Sequence, residues 1–185
     1  AGTAAILASS FQFEKADVKF MRHMPVISEG IGYGVFERDE FILALESGYV
    51  QAAEGGRLHM DGSIMRVPNV RVPDPPVIFD LRGTGSVPTV MSLMDNKPFE
   101  IPTKTKRGID DVSGQAQLAI EIETRLKSGV KPSEVAYDLT GTLHDLRSEV
   151  LVPGRIFTAE LLQLTGAPDL IEISGAGRVF DIPFE

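Results

Sequence analysis

Residues 115–127 alternate between apolar and polar almost without a break. Ala116, Leu118, Ile120, Ile122, Thr124 and Leu126 fall on one parity. Gln115, Gln117, Ala119, Glu121, Glu123, Arg125 and Lys127 fall on the other. A period of two puts the first set on one face of an extended chain and the second on the opposite face. A helix would gather Leu118, Ile122 and Leu126 but would throw Ile120 onto the charged side. The pattern therefore predicts a strand with one buried face. At about 3.3 Å per residue it would run about 43 Å, well beyond the usual five or six residues.

The same alternation recurs elsewhere. Phe11 and Phe13 share one parity, and Ala16, Val18 and Phe20 the other, so a bulge or short break is expected near Glu14-Lys15. Residues 33–50 carry two apolar pieces around Glu37-Arg38-Asp39-Glu40. They read as a hairpin, or as a short helix capped by Asp39 and stopped by Gly48. Glu54-Gly55-Gly56 and Asp61-Gly62 are turn signals, the second suited to type I′. They would join Tyr49–Ala53, Arg57–Met60 and Ser63–Val67 into a meander. Residues 132–150 read as a strand through about 143, with helical spacing as the competing pattern. A helix is expected at Thr158–Leu164, with Thr158 as N-cap and Gly166 as stop. Leu170–Ser174 and Arg178–Ile182, around Gly175-Ala176-Gly177, are expected to close the chain as a hairpin.

Residues 68–102 hold Pro68, Pro73, Pro75, Pro76, Pro88, Pro98 and Pro102. Proline cannot donate to a sheet ladder. Only Val77–Leu81 is expected to form a buried strand there, and the rest reads as an extended arm or long connection. The expected architecture is a single domain over 1–185, mainly β with α+β as the variant. It would be an antiparallel sandwich or barrel with one or two short helices.

Apolar residues make up 43% of the chain, enough for a sizeable core. The formal charge is −8, and the densest basic run is Lys104-Thr105-Lys106-Arg107, read as a solvated loop. Nucleic-acid binders concentrate basic charge to displace phosphate counterions, so a nucleic-acid partner is not expected. The absence of cysteine rules out disulfides, thiol nucleophiles and Cys-ligated metals. No apolar run approaches the roughly 20 residues of a membrane-spanning helix. Synthesis in the cytoplasm is expected.

Two segments place an aspartate after an apolar run and before Gly-Thr: Val77-Ile78-Phe79-Asp80-Leu81-Arg82-Gly83-Thr84 and Tyr137-Asp138-Leu139-Thr140-Gly141-Thr142-Leu143. Over about eight residues each resembles the first motif of haloacid-dehalogenase-type phosphatases. That resemblance implies Asp80 or Asp138 as a carboxylate nucleophile, on the first strand of a parallel, doubly wound sheet. It also implies a second aspartate two residues on. Arg82 and Thr140 stand there instead, and only 47 residues follow Asp138. His59-Met60-Asp61 and His144-Asp145 pair an imidazole with a carboxylate, and His23 is the third histidine. A metal or relay role would need them to converge, and each is expected to be a satisfied or solvated side chain. Gly30-Ile31-Gly32-Tyr33-Gly34 lacks the lysine of a phosphate loop and the spacing of a dinucleotide fingerprint. It reads as a hairpin tip or as a strand on which another backbone packs closely. Asp110 and Asp111 are adjacent, so on a strand they would face opposite ways.

No catalytic, cofactor-binding or metal-binding residue is therefore assigned, and no cofactor is expected. The expected role is a non-enzymatic structural subunit that self-associates or joins neighbouring subunits, as in a virion, phage tail or secretion-type particle. One alternative is a phosphotransferase or phosphatase using Asp138 or Asp80. The other is a monomeric β module that binds a ligand or peptide.

Overall fold

The computed structural model describes residues 8–19, 24–96, 111–152, 154–167, 170–179 and 182–184. Of these described residues 69% lie in strands and 7% in helices, so the fold is mainly β as expected. The strands are β1 (Ala8–Val18), β2 (Ile27–Glu37), β3 (Glu40–Gln51), β4 (Arg57–His59), β5 (Ile64–Val67) and β6 (Pro76–Ser86). After α1 (Val87–Met94) come β7 (Val112–Arg125), β8 (Ala136–Val152), β9 (Arg155–Ala167), β10 (Leu170–Ser174), β11 (Gly177–Val179) and β12 (Ile182–Phe184). They form one antiparallel 12-stranded sheet in the order β1-β2-β3-β4-β6-β7-β8-β9-β11-β12. β5 bridges β3 and β6, and β10 pairs with β9. Among the described residues no pairing joins β1 to the far edge. Among them, too, no helix is long and apolar enough to cross a membrane.

The parity of β7 holds through the fold: Ala116, Leu118 and Ile122 are buried, while Gln117, Ala119, Glu121 and Glu123 are exposed. The break in β1 is also present. Its register with β2 shifts between Phe13 and Ala16, and Lys15 takes φ 52°. Residues 33–50 are a hairpin, closed by the Glu37–Glu40 pair with Arg38 at φ 57°.

Four expectations change. The first concerns β4 and β5, which form no meander. They lie end to end between β3 and β6 as one interrupted strand. Only Gly62 of the Asp61-Gly62 pair has positive φ, so the segment is a looped-out bulge and not a type I′ turn. Ser63 bridges the gap, its Oγ accepting from Arg82 N at 2.9 Å and donating to Arg82 O at 3.3 Å.

The second change is similar. β10 and β11 form no hairpin with each other, because both run along β9 with a one-residue step across Gly175, φ 134°. The true hairpin partner of β11 is β12.

Third, Thr158–Leu164 is not a helix but the middle of β9. Ala159, Leu162 and Leu164 are buried against neighbouring strands, so pairing with β8 overrides the helix propensity of Glu, Leu and Gln.

Fourth, the proline-rich span is not an arm over 76–94. Residues 76–86 form a central strand flanked by β5 and β7, and α1 follows at once. Its prolines sit where a missing N–H costs nothing: Pro76 opens β6, and Pro88 lies in the first turn of α1.

α1 begins at its N-cap Ser86, whose Oγ accepts from Thr89 N at 3.2 Å. Ser86 Oγ and Thr89 Oγ1 both donate to the Gly55 carbonyl, at 3.1 and 2.6 Å. Glu54 N donates to Ser92 Oγ at 3.1 Å. These bonds tie the helix to the β3–β4 loop and lay it on the apolar face of the sheet. There Val90 and Met94 pack on the cluster of Leu118, Leu139 and Leu164. Ile27, Val50, Leu81 and Ile122 anchor a second cluster, which also takes in Leu93 of α1.

Candidate functional site

The sheet has one apolar face, partly roofed by α1, and one polar face. On the polar face the register assembles rows that are scattered along the chain. Ser28, Tyr49, His59, Thr84, Gln117, Thr142, Gln163 and Ser174 pair in succession across eight strands. At about 4.8 Å per strand this uncharged polar row spans about 34 Å. At its β3–β4 end Arg57 stacks on the Tyr49 ring at 4.0 Å, and Tyr49 and His59 lie 6.5 Å apart between ring centres. Nothing in the sequence marks this row, because it exists only once pairing and register are set.

A second row joins the two aspartates of the phosphatase-like segments. Asp80 pairs with Glu121, and Glu121 with Asp138. Three carboxylates thus stand abreast on β6, β7 and β8. They line a cleft of about 320 Å³ together with Arg82 and Thr140. Both aspartates sit within antiparallel strands, whereas the resemblance implies the carboxyl edge of a parallel sheet. Among the described residues no group of acidic or histidine side chains is gathered closely enough to hold a metal ion.

His59 and His144 do not converge. His59 pairs with Thr84, whereas His144 lies opposite Gln115 and its Nε2 is 3.1 Å from Thr142 Oγ1. His23, Asp110 and the Lys104–Arg107 run lie outside the described residues. The alternating glycines of 30–34 belong to β2. Phe11 and Phe13 lie across Gly34 and Gly32, and a methyl group at Gly32 would strike the Ala44 carbonyl. Close backbone packing, not phosphate binding, accounts for them.

Among the described residues one titratable group, Glu134, departs clearly from its ordinary range. Glu134 is held below the usual carboxylate range, first by the hydrogen bond from Lys127 Nζ at 2.5 Å and then by that from Lys131 N at 2.9 Å. It belongs to the turn between β7 and β8 and lies in neither row.

Beneath α1 the apolar face leaves a cavity of about 50 Å³. Its walls include Met24, Met60, Met94, Val90, Leu118 and Ile120. No family model, curated protein or solved structure matches this chain.

Proposed function

We propose that this chain is a structural module that assembles with neighbouring β-strands through the two edges of its sheet. The observation that carries this reading is where apolar surface is left uncovered. Of 13 exposed large hydrophobic residues among the described ones, five lie on edge strands (Phe11 on β1, Leu170, Ile171 and Ile173 on β10, Ile182 on β12), and four lie on the strands paired directly to them (Ile31 and Tyr33 on β2, Ile156 and Leu161 on β9). Among the described side chains, the central strands β3, β4, β6, β7 and β8 contribute none, and β5 contributes only Ile64. An edge strand offers unpaired N–H and C=O groups, and apolar side chains beside it make it a template for another strand. Natural edges are usually blunted with charge or proline. Pro183 does this on β12, but β10 carries only Glu172 among its five residues.

The test is solution mass against concentration, by light scattering and native mass spectrometry. Multimers that weaken in Ile173→Lys or Phe11→Lys are expected. A chain that stays monomeric at every concentration and gains no partner strand sinks the reading.

A second reading, a binding module for an apolar ligand, is favoured by the cavity under α1. Its lining is almost wholly apolar. Methionine side chains adapt to varied shapes, and three of them line it. A polarity-sensitive fluorophore should light up on binding, and Val90→Trp should block it by filling the space. Equal fluorescence with the variant would remove this reading.

A further inference from the structure

We propose that the cleft where β8, β9 and β11 meet binds a small ω-amino carboxylate. The register puts Thr158 between two arginines: Arg147 pairs with it from β8 and Arg178 from β11. Directly opposed residues stand about 5 Å apart, so the two arginine backbones lie about 10 Å apart with the threonine midway. One row further along, Asp145 and Glu160 hold the opposed positions between the pairs His144–Leu161 and Leu146–Ala159. All five side chains line one cleft of about 720 Å³.

Two irregularities shape the cleft. β8 carries an extra residue opposite Gly114, leaving Asp145 at φ 50°. β9 carries one more residue than β10 and β11 across Gly175. Bulges re-aim side chains and recur beside binding sites.

The charges in this cleft are not spent on one another. Arg147 Nη2 pairs with Glu149 Oε1 at 2.9 Å, which fixes its direction. Among the described residues Arg178, Asp145 and Glu160 form no ion pair. Two guanidinium groups flanking a hydroxyl suit a carboxylate, which takes forked hydrogen bonds. The opposed acid pair repels a simple anion but receives an ammonium. Successive rows on one face are about 6.7 Å apart along the strand, which sets the distance between the ligand's two charges. A flexible chain of five methylenes spans it.

The probe is ε-aminocaproate, titrated into the full chain and followed through backbone amide resonances. Saturable shifts are expected at Thr158, Ala159 and Gly177. Caproate and hexylamine, each with one charge, should bind at least tenfold more weakly. Arg178→Gln and Glu160→Gln should each weaken binding at least tenfold while leaving thermal unfolding unchanged, since both side chains are exposed. Absence of saturable shifts, equal binding of caproate, or undiminished binding by the two variants would overturn the proposal.

Discussion

At the residue scale, single polar atoms close gaps that the backbone leaves open. Ser63 is the clearest case. It is buried, and its hydroxyl replaces the ladder bond that the looped-out residues 60–63 cannot make to Arg82. Ser63→Ala leaves the part-buried Arg82 N–H without its acceptor, which costs about 1 kcal/mol. Denaturant unfolding should show that loss at an unchanged slope, and the Arg82 amide should exchange faster. An unaltered midpoint would mean that water takes over the hydroxyl's role. The acidic row runs the other way. Asp80, Glu121 and Asp138 are like charges directly opposed, an arrangement that destabilises a sheet. Their exposure lets solvent screen them, so the fold tolerates what a buried trio would not. The two aspartates could be singled out from their local motifs. Glu121 between them could not, because its place depends on the pairing of three strands.

At the element scale, one-faced strands were legible and interrupted ones were not. β7 buries every second residue, so its parity announces it. β4–β5 and β10–β11 are each one strand broken near glycines. A bulge and a hairpin turn draw on the same residues for the same positive φ, so the local sequence does not tell one from the other. α1 was hidden differently. Pro88 looks like a breaker until Ser86 is seen to cap the helix that it opens. That cap also sets a testable hinge. Ser86→Ala removes the acceptor for Thr89 N and one of two bonds to the Gly55 carbonyl. The loss is about 1 kcal/mol. The change should appear as faster exchange at Thr89 and as increased binding of a hydrophobic dye, since Val90 and Met94 would lift from the cavity. Destabilisation without dye binding would place the helix's hold in its apolar contacts alone.

At the scale of the whole molecule, stability and association share one geometry. Each strand pairs almost only with its sequence neighbours, so cooperativity must pass along the sheet from strand to strand. β6, β7, β8 and β9 have partners on both sides and carry most of the buried residues under α1. β1 has one partner, and its side chains are exposed or half-buried throughout. Local opening is cheapest where buried contacts are few. Amide exchange in the dilute chain should therefore be slowest in β7 and β8 and fastest in β1, β10 and β12. Edge pairing then makes a second demand. Raising the concentration should slow exchange at the outward amides of the pairing edge, while β7 and β8 keep their rates, because a ligand for the edge stabilises only what it orders. A uniform slowing would instead indicate association that stabilises the chain globally. Slowing confined to the amides around α1 would move the contact to the apolar face and away from the edges.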